Sequence, residues 1–195
     1  DEVSLESAHR LAETTYARVI ESISLSDSRK AHEQIDSLIH ARPDVFIIAG
    51  GTDGGATRSL RKAIEVIGLT CYLLPEGHRP AVLFAGNQNL SNDVRTLLEK
   101  LTPILRFSPN VRPTLEAEDL DPASRELANL FPIIRQTQLR GVEELNLKSG
   151  GILPAAYAQG RMIRFLSQVY GGEKGLLGVD VGASASVIST SLHGN

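Results

Sequence analysis

The sequence predicts an α/β fold, with a mostly parallel sheet built from βαβ units, flanking helices and a C-terminal β-hairpin. Two observations predict it. Between residues 42 and 110, short apolar runs alternate with amphipathic segments, as in parallel strands joined by helical crossovers. Near the end, "GLLGVDVGASASVISTSL" places two β-prone runs around a turn of small residues, which is typical of a hairpin.

The first half of the chain supplies most of the predicted elements. Apolar residues at helical spacing predict a helix within Val3–Ile23, and a second helix is expected over about Ser28–His40. The run "DVFIIAG" is short and continuous, as in a strand covered on both faces, and a helix over about Gly55–Val66 follows. The next strand is either "LTCYLLP" or "AVLFAGN". "LSNDVRTLLEKL" then predicts a helix and "ILRFSP" a strand.

The second half is predicted to be mainly helical. A polar, proline-bearing linker covers residues 110–122, and helical sequence covers 123–147, which Pro132 should break or kink. Pro154 suits the first turn of a further helix that should end at Gly171 and Gly172. We therefore divide the chain into N-terminal helices (1–41), a Rossmann-like region (42–110), a helical region (111–173) and the terminal hairpin (174–195).

Composition excludes several classes of function. The net charge is −3 and is spread without blocks, which argues against nucleic-acid binding. No apolar stretch approaches the roughly 20 residues of a membrane span, and the single cysteine, Cys71, excludes an internal disulfide and a cysteine-based metal cluster. These features predict a cytoplasmic protein. Because the chain begins with Asp1 rather than methionine, we expect it to be a piece of a longer protein.

The glycine-rich stretch after the first predicted strand is the first candidate site. Glycines at the carboxyl end of a parallel strand let backbone amides approach an anion at the next helix N-terminus. The alternative is a turn in which the carboxylate only caps that helix. Asn87 follows the strand "AVLFAGN" and would line the same edge. The candidate residues are Gly50, Gly51, Thr52, Asp53, Gly54, Gly55 and Asn87.

The predicted hairpin holds the second candidate site. Asp180 falls within an apolar strand, where a buried carboxylate is costly unless it is paired or coordinated. It could hold Mg²⁺ through water while Gly182 and Ser184 give amides to a phosphate. The alternative is a carboxylate bonded to turn amides of its own hairpin.

Other polar residues predict no site. The five histidines lack metal-ligand spacing, and the serines near the C-terminus have no recognisable triad partners. Glu116, Glu118 and Asp119 are interpreted as a solvated face.

Five motifs together identify a resemblance. With "PDVFIIAGGTDGG", "VLFAGNQN", "NVRPTL", "GGILPAAYAQG" and "LLGVDVGASAS" in this order, the chain resembles the MutL-type accessory proteins of coenzyme B12-dependent glutamate mutase. That family is unrelated to the mismatch-repair protein sharing the name. The likeness covers roughly residues 31–192. It implies a fragment of the architecture of the sugar kinase, heat-shock chaperone and actin superfamily of ATPases, and mutase subunits as partners.

The resemblance also implies a phosphate loop, from which this chain departs. Asp180 and Gly182 match the second loop of that superfamily, D-x-G-[GA]-x-T-[TS]-D, but Ala183, Ala185 and Val187 replace a glycine, a threonine and an aspartate. Because the hydroxyl and the second carboxylate are lost, and no segment supplies the first loop, we expect no ATP hydrolysis by this chain. ATP with Mg²⁺ would be a ligand of the longer parent only.

Two functions remain open at the level of sequence. The chain is either part of a protein that assists or regulates a B12-dependent mutase, with Asp180 and Gly182 in a degenerate phosphate-binding hairpin, or a non-catalytic α/β module that binds a partner subunit. An independent Rossmann-like enzyme is disfavoured, since no dinucleotide fingerprint is present.

Overall fold

The structure is a computed structural model that describes residues 2–55, 57–170, 174–183 and 185–192. It divides into two compact units. The first comprises Asp1–Glu13 and Ala17–Leu127, and the second comprises Thr14–Tyr16 and Ala128–Asn195. The division falls within one helix, α5 (Asp121–Gln138).

The first unit is built on a parallel sheet of three strands, β1 (Val45–Ile48), β2 (Ala81–Phe84) and β3 (Leu105–Phe107), in the order β1-β2-β3 with β2 paired on both sides. Parallel strands need crossover connections, and helices α3 (Arg58–Leu73) and α4 (Ser91–Leu98) provide them. The unit also contains α1 (Glu2–Glu13), α2 (Ala31–Ala41) and one-turn helices at Glu76–His78 and Gln88–Leu90.

The core of the first unit lies where α2, α3 and α4 pack on the sheet. All four residues of β2 are buried, as expected of a central parallel strand covered on both faces. Full burial of each large apolar side chain contributes about 1.5–3 kcal/mol. The core cluster consists of Ile35, Leu38, Phe46, Ile48, Leu60, Ile64, Val66, Cys71, Val82, Phe84, Leu90, Val94 and Leu98.

The structure decides between the two candidates for the second strand. "AVLFAGN" contains β2, whereas "LTCYLLP" begins as the last turns of α3, which extends to Leu73 rather than ending near Val66. The reason is that one face of a continuous helix is buried in this segment: Ile64 and Cys71 are buried, while Tyr72 and Leu73 are exposed. Burial raises the pKa of the Cys71 thiol to about 11, so this cysteine is an inert core residue.

Two other helix boundaries differ from the prediction. Helix α1 ends at Glu13, and residues 17–24 are not helical although their apolar spacing predicted a helix to Ile23. Pro132 lies inside α5 without ending it. The helical segment is interrupted instead at Gly141, the residue before α6 (Val142–Ser149), which has a φ of +85°. Glycine adopts this left-handed conformation at little cost.

The non-helical segment after α1 is held by an ion cluster. Arg29 bonds to Asp27 at 2.7 Å and to Glu21 at 3.2 Å, and Ser37 of α2 donates a short hydrogen bond to Glu21. Hydrogen bonds from Arg29 and Ser37 lower the pKa of Glu21 to about 2. The cluster thus joins this segment to α2 through a carboxylate that must stay ionised.

The second unit contains an antiparallel hairpin and a helix packed on it. Strand β4 (Leu176–Val181) pairs with β5 (Ser186–Ser191) in the register Val179 with Ile188, so the predicted hairpin is confirmed. Helix α7 (Ala155–Tyr170) covers one face. A side chain at Gly178 would lie 2.4 Å from Ile163 Cδ1, so glycine permits this close contact. The predicted helix end at Gly171 and Gly172 lies outside the described residues.

No described helix combines the length and apolar character that crossing a bilayer requires.

The ion cluster around Glu21 predicts an acid-sensitive contribution to stability. Because the folded-state pKa is about 2 against an ordinary value of 4.5, the stabilisation is complete above pH 4.5 and is lost as pH falls through the folded value. Glu21→Gln should therefore remove about 1–3 kcal/mol at pH 7 and flatten the pH dependence between pH 5 and about 2. Urea unfolding over this range measures both effects.

The matched control for this experiment is Glu76→Gln, at an exposed carboxylate. It should leave the curve unchanged. A Glu21→Gln protein whose stability falls with pH as steeply as that of the wild type would contradict the prediction.

Candidate functional site

The carboxyl ends of the three parallel strands meet at one edge of the first unit. Backbone hydrogen bonds continue past the strands, from Asn87 N to Gly50 O at 3.0 Å and from Val111 N to Ala85 O at 3.0 Å. The loops after β1, β2 and β3 are therefore held side by side. This is the place where ligands bind in open α/β sheets, and it contains the first predicted site.

Asp53 ties these three loops together. Its Oδ1 accepts a hydrogen bond from Gln88 N at 3.0 Å and another from Asn110 Nδ2 at 3.0 Å. Its own amide donates to Pro113 O at 3.0 Å. We call Asp53, Asn87, Gln88 and Asn110 the strand-end cluster. Asp53 is exposed to solvent despite these bonds.

Asn87 and Asn110 are the buried members of the strand-end cluster, at 0% and 2% exposure. Asn87 Oδ1 accepts from Asn89 N at 3.0 Å, and its Nδ2 donates to Gly55 O at 3.4 Å. Asn110 Nδ2 also donates to Gly51 O at 2.8 Å. Both amides thus hold loop backbone, which satisfies the requirement that buried polar groups be hydrogen-bonded.

Glycine is required in these loops at two kinds of position. Gly50, Gly51 and Gly54 have φ values of +142°, +67° and +76°, in the range that side chains disfavour. At Gly86 the reason is steric, because a Cβ would lie 2.9 Å from Gly50 O. Gly55 donates from its amide to Thr52 O at 2.9 Å, which closes the turn. The glycines therefore allow the loops to lie close together.

The alternative of a capping carboxylate does not describe Asp53. The N-cap residue of α3 is Thr57, with no side-chain cap bond, and the first turn of the helix has no acidic residue. Asp53 binds across the sheet edge to the loops after β2 and β3 instead. The ligand role of Gly50–Gly55 and Asn87 stays a prediction, and their geometry accounts for a structural role.

A second set of hydrogen-bonded polar side chains begins at Asn110, and the sequence did not predict it. Asn110 Oδ1 accepts from Arg112 N at 3.0 Å, and Arg112 Nε donates to Ser7 Oγ at 3.1 Å. Ser7 Oγ donates to Glu118 at 2.5 Å, and Arg10 donates to the same oxygen at 2.6 Å. The only sequence signal was the polar stretch after β3, interpreted as a linker.

Glu118 is exposed, as the sequence suggested, but its carboxylate also binds Ser7 and Arg10. Burial raises the pKa of its carboxyl, but hydrogen bonds from Arg10 and Ser7 outweigh burial and hold the pKa below its ordinary value. Its charge joins α1 to the segment after β3. This is a structural arrangement, since its groups bind one another.

The second predicted site differs from its expectation in one decisive respect. Asp180 is exposed, so the argument that a buried carboxylate needs a partner was wrong for it. The hairpin is only two strands wide, and Asp180 lies near its turn. Within the described residues no hydrogen-bond or ion-pair partner of Asp180 is present, and the alternative of bonds to turn amides is likewise not seen there.

The phosphate and Mg²⁺ roles of Asp180, Gly182 and Ser184 stay predictions. Val187 lies directly opposite Asp180, at the position where the resemblance implies a second aspartate. The Gly182 amide donates to Ala185 O at 3.0 Å, so it is already used. Ser184 lies outside the described residues. No group of three or more metal-ligating side chains occurs among the residues described.

The strand-end cluster predicts distinct effects for two substitutions. Asp53→Ala removes both acceptor bonds and should destabilise the chain by about 1–2 kcal/mol. Asp53→Asn keeps an oxygen that can accept both bonds and should cost less than half as much. Urea denaturation of both variants measures the difference. An Asp53→Ala protein as stable as the wild type would show that the bonds do not hold the loops.

Comparison with known proteins agrees with the motifs. A family model described as "MutL protein" matches residues 1–195. A curated relative, "Protein MutL" of Clostridium tetanomorphum, is 26% identical over 197 residues, which are 99% of this chain and 40% of the relative. The chain thus spans about 40% of the length of that relative. No solved structure matches significantly. The chain belongs to the MutL protein family, as its motifs indicate, and not to the mismatch-repair family of the same name.

Proposed function

We propose that this chain is the partner-binding part of a MutL-type accessory protein that assists or regulates a coenzyme B12-dependent mutase, with glutamate mutase as the first candidate. The motifs that resemble the glutamate mutase accessory proteins support the choice of mutase. The surface of the second unit supports binding, rather than catalysis, as the role of this chain. The interaction module and the accessory role are then two descriptions of one function.

The observation that carries the proposal is the excess of exposed apolar surface in the second unit. Among its described residues, the buried apolar side chains other than proline are Ala128, Leu130 and Ala156. In contrast, large apolar side chains are exposed at Tyr16, Leu139, Leu145, Leu147, Leu153, Met162, Phe165, Val169, Tyr170, Leu177, Val179, Val181, Ile188 and Leu192.

The hairpin concentrates part of this surface on one face. Val179 and Ile188 are directly paired and are 58% and 69% exposed. Leu177 and Val181, two residues to either side of Val179, are 64% and 77% exposed. Successive residues of a strand alternate between faces, so these side chains share the face opposite α7. Contiguous apolar patches of this kind mark interaction sites.

The same geometry argues against a nucleotide-hydrolysing centre in this chain. Asp180 is exposed and faces Val187 across the hairpin, and the Gly182 amide is bonded within the turn. Phosphoryl transfer needs several positioned groups and metal ligands around the phosphates. An ATP site, if the longer protein has one, would require groups from beyond residues 1–195.

Binding to the mutase should depend on the hairpin face. The chain should bind purified glutamate mutase subunits in an interferometry or calorimetry experiment, and Val179→Glu should weaken that binding at least tenfold, because a charge cannot be buried in an apolar interface without a partner.

Tyr72→Glu is the matched control, since Tyr72 is 64% exposed on α3 of the first unit. It should leave binding unchanged. No binding by the wild-type chain would refute the mutase as partner, whereas loss of binding in Tyr72→Glu alone would assign the contact to the first unit.

Nucleotide binding is expected to be absent from this chain. Calorimetric titration of ATP with Mg²⁺ should give no saturable heat with the wild type or with Asp180→Ala. Saturable heat that Asp180→Ala abolishes would overturn this expectation and establish the hairpin as a phosphate site.

A further inference from the structure

The polar segment after β3 forms a closed loop. The Asp119 amide donates to Val111 O at 3.0 Å, which joins the two ends of the segment. Between these ends, Arg112 Nη1 donates to Leu115 O at 3.0 Å. We call residues 111–119 the 111–119 loop. A compact loop whose ends lie together is an Ω-loop, a class of loop that is frequently functional.

The start of the 111–119 loop is fixed at the strand ends. Pro113 O accepts a hydrogen bond from the Asp53 amide at 3.0 Å. Asn110, directly before the loop, is 2% exposed. Its Nδ2 donates to Asp53 Oδ1 at 3.0 Å, and its Oδ1 accepts from Arg112 N at 3.0 Å. The position of the loop therefore depends on Asp53, which is exposed to solvent.

The other end of the 111–119 loop holds helix α1. Glu118 Oε1 accepts hydrogen bonds from Ser7 Oγ at 2.5 Å and from Arg10 Nη2 at 2.6 Å. Arg112 Nε donates to Ser7 Oγ at 3.1 Å. Ser7 is 0% exposed, so a displaced loop would leave its hydroxyl without these partners. Because unsatisfied buried polar groups are costly, the docking of α1 depends on the loop.

Helix α1 has the properties of an element with two states. It has 12 residues, and isolated helices shorter than about 12–15 residues are marginal in water. It should therefore be helical while it is docked and unfold when it detaches. Such local unfolding requires less free energy than unfolding of the whole chain. Energetic coupling between separate sites depends on a two-state element of this kind.

We propose that the 111–119 loop couples the strand-end cluster to α1, because the bonds of Asp53 hold the loop and the loop keeps α1 docked. A group that binds the Asp53 carboxylate in place of Asn110 would then release α1. The residues of this coupling all belong to the first unit. It is therefore independent of the mutase contact proposed for the hairpin.

Hydrogen exchange of the backbone amides tests the coupling with the chain as it stands. In Asp53→Ala, the α1 amides should exchange at least tenfold faster than in the wild type. Asp53→Asn keeps an accepting oxygen and should restore their protection. Ile64→Val is the control for a general loss of stability, since Ile64 is buried in the core cluster. It should leave the exchange of the α1 amides unchanged.

A double-mutant cycle shows whether the effect travels through Glu118. Arg10→Gln removes one bond to Glu118 and should accelerate α1 exchange at least fivefold in the wild type. It should do so less than twofold in Asp53→Ala, where the loop is already displaced. His9→Ala is the control for this step, because His9 bonds to Ser22 at 2.9 Å. Its effect should be the same factor in both backgrounds.

The coupling should also act in the reverse direction, because coupling free energies are reciprocal. The Gln88 amide donates to Asp53 Oδ1, so Arg10→Gln should speed exchange of this amide at least threefold. This measurement needs no substitution at Asp53 and is valid even where Asp53→Ala does not fold.

Three results would overturn the proposal. The first is wild-type exchange of the α1 amides in Asp53→Ala, or an equal acceleration in Ile64→Val. The second is an effect of Arg10→Gln on α1 that is the same factor with and without Asp53. The third is a Gln88 amide whose exchange does not change in Arg10→Gln.

Discussion

The first unit depends on one constraint, which is that β2 is paired on both sides and buried on both faces. A strand in this position has no freedom to shift its register, because a one-residue slip would expose or misplace every side chain. Its neighbours are then fixed, and the three loops that follow the strands must share one edge. At this edge a Cβ on Gly86 would lie 2.9 Å from Gly50 O, so only glycine fits at position 86. Asp53, Gln88 and Asn110 join loops whose positions β2 has already determined.

The second unit is organised in the opposite way. A two-stranded hairpin is marginally stable alone, and here α7 covers only one of its faces, with Gly178 allowing Ile163 to approach. The other face of the hairpin and the outward side of α7 remain apolar and exposed. The two units thus differ in where their apolar side chains lie. The first has a core of many fully buried apolar residues, whereas the second has few buried apolar residues and exposes most of its large ones.

The order of strands and helices was predictable from sequence because continuous apolar runs and glycine-rich loops are local signals. The failures came from positions where tertiary burial decides. "LTCYLL" is β-prone, yet Cys71 is buried on a helical face of α3. Asp180 sits in an apolar run, but the strand is exposed, so its hydrophobicity did not imply burial. The roles of Asn110, Arg112 and Glu118 depend on partners up to 111 residues away in sequence, which no local pattern reveals.

The stretch "AGGTDGG" illustrates how a family marker can reflect folding geometry. Its glycines adopt backbone conformations that side chains disfavour, and this brings the Asp53 carboxylate to the amide of Gln88 and the side chain of Asn110. Each of these residues has a structural reason that needs no ligand. A bound anion would have to compete with Asp53, whose negative charge lies at the same strand ends and repels it. The Asp53 carboxylate at this edge therefore disfavours a phosphate there, and the ligand role of the glycine-rich loop stays a prediction.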